Sequence, residues 1–161
     1  MTNETVQVAI IMGSDSDLPV VEASFSILDD FGVKYTKNVM SAHRTPHDVM
    51  ELIKTSEEYG CKVFIAAAGM AAHLAGAVAA HSTKPVIGIP IESGGMGGID
   101  SLLSTAMMPP GVPVATVAVG KSGAKNSAIL AVQILATSDE DLAQKLVEYK
   151  QNMSCLLYTS D

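Results

Sequence analysis

The sequence predicts an α/β fold: a three-layer sandwich built on a five-stranded, parallel, flavodoxin-like sheet, with a C-terminal helix. Three observations carry the prediction. Short β-rich apolar blocks alternate with helical ones along the chain, the pattern of a parallel sheet covered on both faces. The runs VAIIM and VIGI are nearly continuous in apolar residues, as strands buried on both sides must be. Finally, every unusual polar or glycine-rich segment follows a strand, at the edge where an open parallel sheet binds ligands. The expected strand order is 2-1-3-4-5.

The elements follow in order. Residues 6–12 (VQVAIIM) read as a strand. Residues 18–31 read as a helix, because Val21, Phe25 and Leu28 recur at i, i+4 and i+7 and Gly32 can stop it. Residues 34–40 form a weaker strand. Residues 45–59 form a helix, with Val49 and Ile53 on one face and Gly60 behind it. A strand over 63–67 precedes an alanine-rich helix over 70–82. The remaining pairs are a strand at 85–89 with a helix at 99–107, then a strand at 114–119 with a helix at 123–136. The last helix follows Ser138, which is placed to form a capping box with Asp141; Leu142, Leu146 and Tyr149 make its apolar face.

The 161 residues, 48% of them hydrophobic, suit one domain over 1–153. The segment 154–161 (SCLLYTSD) continues no helix face and reads as a tail outside the fold. No run of 18 apolar residues spans a membrane, and MTNETVQV has no basic stretch before an apolar one, so no signal peptide is expected. Cys61 and Cys155 follow no metal or redox spacing, and a reduced cytoplasmic setting is the expectation. The net charge of −7 argues against nucleic acid as a partner. It also requires any bound phosphate to find a local cluster of donors. Aromatic residues are only 4%, and small apolar residues carry the burial, which favours helices packed closely against other subunits.

The loops after the strands hold the candidate chemistry. In GSDSD, Ser14 and neighbouring N–H groups can meet a phosphate or hydroxyl at a helix start. Asp17 is equally a helix cap or a ligand for ribose hydroxyls, since a carboxylate repels phosphate. In SAHRTP, Arg44 is the only arginine of the chain. Its planar fork matches phosphate in a way lysine cannot, and Ser41 stands beside it. His43 suits proton transfer, for which histidine is the common side chain. His73 lies within a turn of a helix start that faces the same edge, whereas His81 is a helix away and reads as structural. GKS at 120–122 is no P-loop, because Ala115 stands where its first glycine belongs. No G-x-G-x-x-G follows the first strand, no H-E-x-x-H is present, and no G-x-S-x-G elbow occurs.

Taken together, GSDSD at 13–17, SAHRTP at 41–46, AAHL at 71–74, DSLLS at 100–104 and Met108-Pro109 resemble the class I N5-carboxyaminoimidazole ribonucleotide mutases of bacterial purine biosynthesis. The resemblance runs in the same order from about residue 6 to 136. It implies an isomerisation without metal or other cofactor, in which a carboxyl group moves from the exocyclic nitrogen of an imidazole ribonucleotide to the adjacent ring carbon. It implies that Ser14 and Asp17 hold the ribose-phosphate part, that Ser41, Ala42 and Arg44 meet the phosphorylated substrate, and that His43 is the acid/base. Gly69, His73 and Leu74 would line the pocket where carbon dioxide is released and recaptured. It further implies a homo-octamer. The chain departs from the family's usual GAGGAAHLPG: Ala67, Met70 and Ala75 replace two glycines and a proline, and Met70 is placed to narrow the pocket. The run GGMGG at 94–98 is expected to form a mobile loop over the site. The related class II aminoimidazole ribonucleotide carboxylases use free carbon dioxide and resemble SAHKT here, so Arg44-Thr45-Pro46 points to class I. A non-catalytic nucleotide-binding module is the remaining reading, and an intact His43 disfavours it.

Overall fold

In the computed structural model, which describes residues 5–158, the five strands pair in parallel in the order β2-β1-β3-β4-β5. The strands are β1 (Val8–Met12), β2 (Tyr35–Val39), β3 (Val63–Gly69), β4 (Val86–Ile91) and β5 (Ala115–Thr116). The helices are α1 (Leu18–Phe31), α2 (Pro46–Glu58), α3 (Leu74–His81), α4 (Ile99–Ala106), α5 (Lys121–Ala136) and α6 (Glu140–Tyr158). Strand order and layering are those expected of a flavodoxin-like sheet.

Successive side chains on a strand face opposite ways, and the sheet uses both faces. Val8, Ile10 and Met12 of β1 join Val63, Ile65 and Ala67 of β3 in one core, covered by α1, α5 and α6. Ala9 and Ile11 join Phe64 and Ala66 in the other, covered by α2 and α3. Helix α4 lies on this second face, since a Cβ at Gly88 would collide with Thr105 of α4 and sit 3.3 Å from Ala75 of α3. Phe64 is the largest fully buried side chain, and truncating it to alanine would cost about 3–5 kcal/mol. Among the described residues, no helix is long and apolar enough to cross a membrane.

Helix α1 has the predicted span, and Gly32 ends it at φ 73, a left-handed conformation that glycine adopts without strain. Most boundaries differ by a residue or two, and three differ for reasons visible in the structure. Strand β5 is far shorter than 114–119. Val117 N–H still reaches Gly88 O and Gly120 N–H reaches Pro90 O, but Pro90 has no N–H to return, so the ladder lapses after Thr116. Helix α3 begins at Leu74 rather than residue 70, because Met70 takes φ 51 and breaks the helical path. The last helix is capped by Asp139, whose carboxylate accepts from Leu142 N–H at 3.0 Å, and not by Ser138 with Asp141. Helix α6 continues to Tyr158, with the Ser154 hydroxyl donating to Lys150 O; residues 159–161 of the expected tail lie outside the described residues.

Candidate active site

A cavity of about 510 Å³ opens at the carboxyl edge of the sheet. All nine residues singled out in the sequence line it: Ser14, Asp17, Ser41, Ala42, His43, Arg44, Gly69, His73 and Leu74. They arrive on three loops, after β1, β2 and β3, which end side by side because their strands are neighbours in the sheet.

The first loop is a short 3-10 turn, Asp15–Asp17, with Ser14 as its cap. Ser14 Oγ accepts from Ser16 N–H at 3.3 Å, and Asp17 Oδ2 accepts from Ser14 N–H at 3.0 Å. Asp17 therefore closes a capping box around this turn; its side chain makes no cap bond to α1. The carboxyl is buried, and that burial raises its pKa above the ordinary aspartate value. The Ser14 N–H opposes the rise, the neighbouring Asp15 charge adds to it, and the Gly13 N–H opposes it.

The second loop bonds to itself. Thr45 Oγ1 accepts from Ser41 N–H at 3.2 Å, and Thr45 N–H donates to Ser41 O at 2.8 Å. Ser41 Oγ accepts from Arg44 N–H at 3.2 Å. Pro46 then opens α2, where a missing N–H costs nothing. This closed turn projects His43 and Arg44 from one point, and Arg44 Nη2 reaches back to Gly13 O at 3.5 Å. The only guanidinium of the chain thus lies beside the first loop.

The third loop brings His73, at the cap position of α3, to His43. His43 Nε2 lies 2.8 Å from His73 Nδ1, with the rings edge to face at 83°. At that distance one nitrogen donates and the other accepts, so the pair holds one proton between the rings. Position 69 takes glycine because a Cβ there would collide with the Ser93 hydroxyl and sit 3.2 Å from Ile91 O. Ala68, Gly69 and Leu74 make this part of the wall small and apolar.

Met70 and Ser93 also line the cavity. Ser93 stands just before the glycine run at 94–98, and the sequence marked that segment but not the serine itself. Of the glycine-rich stretch, residues 94–98 do not line the cavity, although Met70 lies against Gly94, nor do residues 120–126 after β5. His81 turns its ring to Ala77 O at 2.8 Å, a bond within its own helix. No group of three His, Cys, Asp or Glu side chains among the described residues is gathered as a metal ion would need.

The AIR carboxylase family model matches residues 7–155. The N5-carboxyaminoimidazole ribonucleotide mutase of Bacillus subtilis (strain 168) is 54% identical over 145 residues, 90% of either chain. That of Methanocaldococcus jannaschii is 50% identical over 154 residues, 96% of this chain and 94% of its own. The crystal structure of Treponema denticola PurE superposes with a TM-score of 0.88 at 30% identity, covering 96% of each chain. With a family match across nearly the whole described chain and relatives half identical over nine-tenths of it, this chain belongs to the AIR carboxylase family.

Proposed function

We infer that the chain is an isomerase of purine biosynthesis that moves the carboxyl group of N5-carboxyaminoimidazole ribonucleotide from the exocyclic nitrogen to ring carbon C4. The observation that carries this reading is the His43–His73 contact at 2.8 Å beside Arg44, in a chain 54% identical to a protein named for that mutase. In the mechanism proposed here, His43 gives a proton to the exocyclic nitrogen as the N–CO2 bond breaks, and the bond's electron pair stays on nitrogen. The ring carbon C4 then attacks the released carbon dioxide, forming the C–C bond. C4 still carries its hydrogen, and that proton returns to His43 as the ring regains aromaticity. Protons therefore balance over the cycle, and one group serves both transfers.

Arg44 and Ser41 bind the phosphate, Ser14 and Asp17 the ribose-phosphate part, and Ala42 completes that wall. His73 orients His43 through the shared proton and faces the migrating carboxyl group. Gly69 and Leu74 leave a small apolar space for carbon dioxide. No step calls for a metal or cofactor.

The enzyme works in the cytoplasm as a homo-octamer. Ile99, Leu103 and Met107 support assembly: they fall at i, i+4 and i+8 and are 59%, 53% and 78% exposed on the isolated chain. The functional domain is 1–153. Truncation after Met153 is expected to leave turnover and light-scattering mass unchanged, and dissociation would give the tail a structural role.

The class II carboxylase is the other reading with a shared fold, and relatives named mutase at 54% and 50% identity favour the first. The deciding assay follows the ring-carboxylated product from each imidazole ribonucleotide, with and without bicarbonate. Turnover of the N5-carboxylated compound without bicarbonate is expected. Product from the uncarboxylated compound alone, and only with bicarbonate, would make the enzyme a carboxylase. Product from neither would leave a binding module.

A further inference from the structure

The turn that delivers His73 is held from outside its own segment. Met70 is the only non-glycine residue with positive φ among the described residues, at 51°. After it the backbone folds tightly, with Ala72 N–H toward Met70 O at 2.9 Å and His73 N–H toward Ala71 O at 2.8 Å. Bonds spanning two residues are bent and weak, so they do not secure this path alone. The added restraint comes from helix α4. Ser104 Oγ accepts from the buried Ala72 N–H at 3.0 Å. Its own proton has Asp100 O at 2.7 Å, Met70 O at 3.2 Å and Ser101 O at 3.3 Å within reach. One hydroxyl thus touches both ends of the strained step, 32 and 34 residues away in sequence.

We propose that Ser104 is a positioning residue: it clamps the 70–73 turn from α4 and so sets His73 at hydrogen-bonding distance from His43. It does not line the cavity and touches neither ring. Its influence passes through Ala72 N–H to the next residue, His73, and across the 2.8 Å contact to His43. Without the hydroxyl, the Ala72 N–H keeps only the bent bond to Met70 O, and the Ser104 contacts no longer oppose relaxation of Met70. The α3 start then shifts, and the imidazole pair opens. This inference rests on the reading of His43 and His73 as the reacting pair.

The test compares Ser104→Ala with Ser104→Thr, which keeps the hydroxyl, by steady-state kinetics on the N5-carboxylated substrate and by 15N NMR of the histidine rings in the free enzyme. Ser104→Ala is expected to lose kcat by about 10–100-fold, the scale of a misplaced reacting group, with KM within about threefold. Its His43 and His73 ring-nitrogen signals should move toward those of unpaired imidazoles. Ser104→Thr should keep most of kcat and the paired signals. Should Ser104→Ala not fold, Ser104→Cys, with similar volume and a weaker acceptor, is read the same way. Wild-type kcat in the folded alanine variant overturns the proposal, as does a rise in KM alone or unchanged ring signals. If the wild-type enzyme does not turn over the substrate, the functional reading fails, and the ring signals of Ser104→Ala still decide the clamp.

Discussion

Two hollows of about 510 Å³ each lie at opposite edges of the sheet, and they differ in what lines them. The first, at the carboxyl edge, gathers two imidazoles, the only arginine, a buried carboxyl and four serines. The second sits where β4 and β5 begin, lined by Ala79, Ser82, Thr83, Lys84, Pro85 and neighbours. Lys84 is its one charged side chain. The Ser82 hydroxyl there is already committed, donating to Glu57 while it accepts from Lys84 N–H. Equal volume with unequal chemistry shows that space alone does not make a site. Parallel strands aim every loop after a strand at one edge, and three adjacent strands converge their loops on one point. The opposite edge receives only the connections that lead into the strands.

The comparison breaks first at His43. His43→Asn should lower kcat by about 10²–10⁴-fold or more with folding and ligand binding intact, since one group serves both proton steps. His73→Asn should lose less, because its role is to orient and to line. Wild-type turnover in His43→Asn, or a dead His73→Asn beside an active His43→Asn, would move the proton shuttle off the SAHRTP loop. Next comes Arg44→Lys. Losing a charged, two-pronged hydrogen bond costs about 1.5–3 kcal/mol, so KM should rise by about 10–150-fold. An unchanged KM would remove Arg44 from the phosphate.

Asp17 sharpens the comparison through pH. Burial raises its folded pKa above the unfolded value near 3.8, so the folded chain holds more protons than the unfolded one between the two values. Stability contributed by the protonated carboxyl is present below the unfolded pKa and is lost as pH rises through the folded one. Urea titrations across that window should show this slope in the wild type and a flatter one in Asp17→Asn. A steeper slope in the variant would contradict the burial argument. The smallest effect belongs to the second hollow: Lys84→Ala should leave kcat/KM within about twofold, as for an exposed side chain away from the chemistry. A tenfold loss would give that hollow a function.

Much of this was legible in the sequence for local reasons. Gly32 marks the end of α1 wherever the chain is read, and VAIIM shows a doubly buried strand without its neighbours. The site was legible as loops at one edge because a parallel sheet sends every segment that follows a strand to its carboxyl end. What stayed hidden depends on distance along the chain. His43 and His73 stand 30 residues apart, and nothing in either segment shows that their rings meet. The short β5 needs Pro90 of β4, a partner outside the segment it alters. Met70 shows the same limit. A methionine reads as an ordinary helical residue, yet its left-handed backbone costs about 1–2 kcal/mol that the surrounding contacts must offset.

The central claim is that this edge of the sheet moves a carboxyl group within one molecule and holds carbon dioxide between the two steps. Its most direct test is label retention. The N5-carboxyl carbon of the substrate is labelled with 13C, and turnover is run in excess unlabelled bicarbonate. The ring-carboxylated product is then read by mass spectrometry before equilibrium. Retention of the label in most of the product is the predicted result, because His43 and the apolar wall of Gly69 and Leu74 act before the gas escapes. Product carrying the unlabelled carbon of the medium would mean that carbon dioxide enters from solution, and the account would be contradicted.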